Sequence, residues 1–251
     1  MIVTPIKTPL VKAGDNINHI ISHSIKSIPE KSILVVASKI ISICENRFVK
    51  KIEGSREEKH ELVRDEAELY TEPHSSKYNM MLTVKRNFIF VNAGIDESNA
   101  DNQYILWPLD PQKSVNDIWE FARKHYKVKN LGVTVSDSSS YMLNWGVVGR
   151  AIAHCGFNPL RSYIGKPDLF GKTMKMEQTN VMQSVTDAAV LEMGEGSEST
   201  PLAIVSDIKQ PVEFFDRKPS KAELKKLKIK LCDDVYYPIL KNSQWRIGNS
   251  F

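Results

Sequence analysis

The run SILVVAS at Ser32–Ser38 constrains this chain more than any other feature. It is continuous, apolar and of strand length. A strand with one solvated face would alternate, so this run suits a strand buried on both faces. Leu131–Ser136 (LGVTVS) reads as a further buried strand that runs into Asp137. Ile2–Val11 reads as a short strand broken by Pro5 and Pro9, followed by a turn at Gly14-Asp15. Ile17, Ile20, Ile21, Ile25 and Ile28 then recur at helical spacing, with Asp15 as N-cap and Pro29 as the stop. Residues 40–47 are ambiguous between helix and strand. Ser55–Tyr70 reads as an exposed helix, 72–78 as a loop, and Met80–Val84 and Asn87–Asn92 as two strands. Ser114 with Asp117 resembles a capping box that opens a helix through Tyr126. Val147–Phe157 could be a strand or a tightly packed helix. Gln183–Met193 reads as a helix, 194–199 as a polar loop and Leu202–Val205 as a short strand. Ser220 with Glu223 caps a basic helix, Lys221–Asp234. Strands and helices mix without a clean βαβ alternation, which predicts α+β rather than a doubly wound α/β fold.

Composition bounds the function. With 251 residues and 41% hydrophobic content the chain can bury a real core, as one large domain or two small ones. A net charge of +4 does not argue for a nucleic-acid protein, although it could help attract anionic small molecules. Cys44, Cys155 and Cys232 form no CxxC pair, which leaves no zinc ribbon or thioredoxin-like motif and fits a reducing cytoplasm. The N-terminal segment lacks the apolar core of a signal peptide, and no apolar run reaches membrane-spanning length. His19 and His23 are four apart without an HExxH pattern and fall on the exposed side of their helix.

Four segments carry candidate chemistry, each with a plainer reading beside it. Asp96 and Asn99, three apart in VNAGIDESN, could reach one metal or phosphate; the plainer reading is a polar loop holding its own turns, which spacing alone favours. Asp137-Ser138, after LGVTVS, offers a carboxylate and a hydroxyl to a divalent cation, with turn capping as an equal alternative. In MGEGSESTP, Met193–Pro201, glycines would let backbone amides approach phosphate; it is not a Walker A loop, and a surface loop is the plainer reading. Ser38-Lys39 presents a hydroxyl and an ammonium to a phosphate, against the commoner case of a solvated lysine.

Taken together, SILVVASKIISICENR, VNAGIDESN, WPLDP, GVTVSDS, WGVVGRAIAHCG, GKPDLFGK and MGEGSESTPLAIV resemble, in order, the segments of coenzyme F420-0:L-glutamate ligases. The resemblance runs from about Thr8 to about Asp207. It implies a gamma-glutamyl ligase-like unit over residues 1–251, with mixed sheets and two closely associated subdomains, assembling as a homodimer. It implies GTP as a substrate, Mg2+ or Mn2+, and amide formation between L-glutamate and a cofactor carboxylate through an acyl phosphate. By position, Pro9 and Leu10 match a nucleotide-contacting segment, and Ser38-Lys39 matches a nucleotide-binding pair, with Lys39 where Thr is common. Asp96 matches a metal ligand, Asn99 a nucleotide contact, and Asp137-Ser138 a metal-binding Asp-Thr pair. Met193, Gly194, Glu195 and Gly196 fall in a nucleotide-binding loop in which Glu195 helps hold metal. On this reading Asp96 and Asp137 share a metal cluster.

Two departures bear on the acceptor. F420-type members commonly carry Lys at the position of Ile43, and a TNGR-like segment where this chain reads SSSYMLNWG. The C-terminal part resembles a bacterial branch associated with folate gamma-glutamate ligases. A folate is therefore the expected acceptor, with F420-0 as the alternative. Tyr141, Met142 and Trp145 could pack on a flat ring, or belong to the core or a dimer interface. A non-catalytic GTP-binding regulator and a flavin-type oxidoreductase remain as readings of other classes. No nucleic acid or membrane partner is expected.

Overall fold

A computed structural model of the chain describes residues 1–250. The fold is α+β, and the chain divides into two compact units, each assembled from three stretches of sequence. The first comprises 1–46, 108–138 and 148–218; the second comprises 47–107, 139–147 and 219–251.

The first unit is built on a five-stranded sheet in the order Ile2–Ile6, Leu202–Ser206, Ser32–Ala37, Leu131–Ser140, Val147–Cys155. Ser32–Ala37 runs parallel to Leu131–Ser140 and antiparallel to Leu202–Ser206. Its apolar side chains Ile33, Leu34, Val35 and Val36 are fully buried, as its unbroken apolar sequence requires. Ile33 and Val35 face the helix Val181–Met193, whose Val185, Ala189 and Val190 close that side. Leu34 and Val36, pointing the other way along the pleat, are buried as well. The helix Pro111–Tyr126 is pinned to the start of Leu131–Ser140 by Trp119, whose Nε1 donates to the Leu131 carbonyl at 2.8 Å. Tyr126 ties the same helix to Ile17–Ser24 by donating to the carbonyls of Ile21 and Ile25.

The second unit holds a four-stranded antiparallel sheet, in the order Arg246–Ile247, Leu69–Tyr70, Leu82–Lys85, Phe88–Val91. It also holds the pair Phe48–Lys50 and Gln103–Ile105 and the helix Arg56–Glu66. Arg86 and Asn87, both at positive φ, make the two-residue turn of its hairpin. Its core includes an ionic group. Glu66 accepts from Arg47 at 2.8 Å and from Lys85 at 2.6 Å, and the Lys85 ammonium lies 5.5 Å from the centre of the buried Trp107 ring. Burial pushes the Glu66 carboxyl up, but Lys85 and Arg47 outweigh it and hold it below the usual range.

Several local expectations need correction. The first helix is capped by Asn16, whose Oδ1 accepts from the amides of Asn18 and His19; Asp15 instead closes the preceding turn on the Lys12 amide. That helix stops at Ser24, and Ile25 and Ile28 are buried without being helical. Asp110, not Ser114, caps Pro111–Tyr126, because Pro at the first helical position favours a start there. The basic C-terminal helix ends at Lys226, since the alternation Lys228-Ile229-Lys230-Leu231 breaks the helical period. The ambiguous segments resolve as a helix at Ser38–Cys44 and a strand at Val147–Cys155.

Gly156 shows how tightly the first unit is packed. It sits at φ 81°, and a Cβ there would lie 2.0 Å from Trp119 Nε1 and 2.3 Å from the Leu131 carbonyl oxygen. Gly156→Ala must break the Trp119 hydrogen bond or shift the helix. A loss of about 2–3 kcal/mol is expected in urea unfolding.

Candidate functional site

The register of the first unit's sheet decides which segments meet. Ala37, the last residue of its strand, pairs with Ser136. Val36 pairs with Leu202, the first residue of an antiparallel strand, and Leu202 pairs with Ile6, the last residue of another. The strands Ile2–Ile6 and Ser32–Ala37 therefore end, and Leu202–Ser206 begins, at the same end of the sheet, level with Ser136 of Leu131–Ser140. Pro9-Leu10 and Ser38-Lys39 follow the two strand ends, Asp137-Ser138 follows Ser136 within its strand, and the loop 194–201 leads into Leu202. Thr8 donates its amide to the Ser199 carbonyl at 3.0 Å, and Ala37 donates to the Pro201 carbonyl at 2.9 Å, which fixes the loop between them.

Asp137 and Ser138 lie inside a strand rather than past its end, because Leu131–Ser140 continues four residues beyond Ser136. Their partner strand has by then turned into the helix Ser38–Cys44, so the two side chains stand at an unpaired edge. Adjacent strand residues point to opposite faces. Accordingly the buried Ser38 hydroxyl donates to Asp137 Oδ1 at 3.3 Å, while the Ser138 hydroxyl donates to Glu195 Oε2 at 2.6 Å. Lys39 is half-buried, and Pro9 and Leu10 are exposed.

Met193 departs from the expected set: its side chain is 5% exposed and belongs to the core under the sheet. As the last residue of Val181–Met193 it continues that helix's apolar face, and only its carbonyl, which accepts from the Thr200 hydroxyl, serves the loop. Gly194 follows at φ 77°, and Gly196 donates its amide to the carboxylate of Glu198 at 2.8 Å. In the sequence Glu198 is marked only as a carboxylate two residues beyond a glycine, a pattern that many surface loops share.

Asp96 and Asn99 belong to the second unit. Asp96 is bridged through its backbone to Ile105, and its Oδ1 accepts from both the amide and the hydroxyl of Ser98 at 2.8 Å. Asn99 is exposed at φ 51°. Between them, Glu97 is clamped by Lys51 and Lys59, each at 2.6 Å. Tyr141, Met142 and Trp145 are 51%, 52% and 93% exposed, which removes the reading of these residues as core.

Among the described residues, no group of three or more His, Cys, Asp or Glu side chains is arranged to hold a metal. The first unit's oxygen groups nonetheless stand as two pairs, Asp137 with Ser38 on one face of the strand and Ser138 with Glu195 on the other. Oxygen donors of this kind suit a hard cation such as Mg2+, which takes one or two carboxylates and completes its shell with water and substrate phosphate. A hollow of about 470 Å³ lined by Asp168 and Lys172–Glu177 includes none of these residues. No described helix is long and apolar enough to cross a membrane.

Comparison with known proteins adds a family match. A family model described as F420-0:gamma-glutamyl ligase matches residues 5–207. The chain is 28% identical over 211 residues to a coenzyme F420:L-glutamate ligase of Methanosarcina mazei, covering 79% of this chain and 82% of that protein. It is 29% identical over 211 residues to the enzyme of that name from Archaeoglobus fulgidus, covering 78% and 83%. With the one from Methanococcus maripaludis strain C7 it shares 28% identity over 232 residues, covering 86% and 91%.

Cys44 and Cys155 are poorly suited to nucleophilic work. Burial, aided by the Asp15 and Glu45 carboxylates, pushes the Cys44 thiol up to about 11. Burial, helped by Glu120, pushes Cys155 up to about 12 against the nearby cations Lys218 and Arg123. Only Cys232 is exposed. A thiol-disulfide reagent at pH 8 should therefore label Cys232 rapidly and Cys155 only on unfolding, because the thiolate is the reacting form. Rapid labelling of Cys155 in the folded chain would contradict this.

Proposed function

The chain belongs to the F420-0:gamma-glutamyl ligase family, and on that premise we propose that it joins L-glutamate to a cofactor carboxylate, with GTP as phosphoryl donor and a divalent metal ion. The observation that supports this most is the meeting of Pro9-Leu10, Ser38-Lys39, Asp137-Ser138 and the loop 194–201 at one end of the sheet. These segments bring together a lysine, backbone amides and oxygen ligands, the kinds of group that phosphoryl transfer needs for positioning and charge neutralisation.

A carboxylate resists amide formation because oxide is a poor leaving group. In the proposed reaction an acceptor carboxylate oxygen attacks the γ-phosphorus of GTP, and the bond to the bridging oxygen breaks, releasing GDP. The glutamate amine then attacks the acyl carbon, the bond from that carbon to the phosphorylated oxygen breaks, phosphate leaves carrying that oxygen, and the amine proton passes to solvent. Lys39 and the amides of the 194–196 stretch are assigned to the phosphates, and Ser38 to orienting the nucleotide. Asp137, Ser138 and Glu195 are assigned to metal ions, which when bound would neutralise phosphate charge. Excluding water would protect the acyl phosphate. A homodimer is part of the same proposal.

A folate carrying a glutamate is the proposed acceptor. Ile43 supplies no charge where F420-type members commonly carry Lys, and 138–146 contains no Arg for a phosphodiester. The same segment instead exposes Tyr141, Met142 and Trp145, which can stack on a flat ring. The names of the relatives favour a second reading, in which the acceptor is F420-0 itself.

Asp137→Asn keeps an oxygen for the Ser38 hydrogen bond but removes a charge. Turnover should fall about 100-fold or more, while stability changes by less than about 1 kcal/mol. Steady-state kinetics beside urea unfolding checks this; equal losses in both would make Asp137 structural. With labelled glutamate and mass spectrometry, GTP should outperform ATP and a folate should be glutamylated. Glutamylation of F420-0 with no folate accepted would overturn the acceptor, and GTP binding without GDP release would favour a non-catalytic regulator.

A further inference from the structure

The loop between Val181–Met193 and Leu202–Ser206 folds around one of its own carboxylates. Gly196 donates its amide to Glu198 Oε2 at 2.8 Å. A Cβ on Gly194 would lie 2.5 Å from the Glu198 carboxyl carbon and 2.8 Å from each of its oxygens. A Cβ on Gly196 would lie 3.3 Å from both oxygens. The two glycines thus form the floor of a small cradle, and the carboxylate rests on it with no side chain between. The loop is pinned at its base, where the Thr200 hydroxyl donates to the Met193 carbonyl and the Thr8 amide to the Ser199 carbonyl. Glu195 takes no part in the cradle, since its carboxylate is drawn to Ser138 at 2.6 Å.

A glycine floor with an inward amide suits any oxyanion, and a phosphate presents the same kind of acceptor oxygens as a carboxylate. We propose that Glu198 is a built-in competitor for the nucleotide's phosphates: its carboxylate occupies the phosphate cradle of the 194–196 loop and must swing out before a nucleotide can seat there. This rests on the reading of that loop as a phosphate site. Tethered two residues from the amide it contacts, the carboxylate competes at the high effective concentration of an intramolecular ligand. Its charge also opposes the approach of phosphate to a loop that already carries Glu195. Glu198 therefore sets nucleotide affinity by competition.

The test is calorimetric binding of GTP with Mg2+ to the full chain and to Glu198→Gln and Glu198→Ala, with thermal unfolding to confirm that each variant is folded. Removing the competitor should tighten GTP binding, roughly tenfold for Glu198→Ala and by a smaller factor for Glu198→Gln, which keeps an uncharged acceptor. A residue that merely holds the loop in shape would weaken binding when removed. If Glu198→Ala does not fold, Glu198→Gln decides. Unchanged or weaker GTP binding by the folded variants, beside a wild type that binds GTP, overturns the proposal alone. A wild type that binds no GTP overturns the phosphate-site reading and this proposal with it.

Discussion

The strand Ser32–Ala37 is the constraint from which the rest of the first unit follows. It is hydrogen-bonded on both edges and covered on both faces, so neither its register nor its direction can slip without exposing Ile33–Val36 or burying polar groups. A shift of one residue would turn every one of its side chains to the wrong layer. That rigidity places Ala37 level with Ser136 and Val36 level with Leu202. The polar residues immediately outside those positions are therefore held at fixed separations by an apolar element they do not belong to.

The polar groups at that edge use the freedom left by the ending of one strand. Where Ser32–Ala37 turns into a helix, Leu131–Ser140 continues beside Val147–Cys155 with its other edge open, and Asp137 and Ser138 find side-chain partners in Ser38 and Glu195. Partly exposed hydrogen bonds of this kind contribute only modestly to net stability. Their value lies in orienting carboxylates whose backbone is already fixed. The second unit solves a different problem. Glu66, Arg47 and Lys85 form a partly buried ionic group around Trp107, and the desolvation of three charges offsets much of their attraction. Removing one partner would leave an uncompensated charge against the core, so the group enforces one arrangement more than it adds stability.

The division between what was legible and what was not follows physical range. Local periodicity locates the buried strands, the helices Pro111–Tyr126 and Val181–Met193 and the two strands on either side of Arg86 to within a few residues. Competing caps were harder, since Asn16 and Asp15, or Asp110 and Ser114, differ only in which side chain reaches the first free amides. The polar residues of the site were visible as residue types at the ends of apolar runs, and their order along the chain sufficed to suggest the family.

The sequence by itself determined the apolar strands, the α+β class and the chemistry available to the site, because these depend on residues close together in the chain. Tertiary structure alone decided which strand ends meet, because the antiparallel pairing of Leu202 with Val36 joins residues far apart in sequence and no local pattern encodes it. It also decided that Met193 faces the core and that Glu198 turns inward onto Gly194 and Gly196. Each of those outcomes depends on what the surrounding chain leaves open, and that is set only when the sheet is assembled.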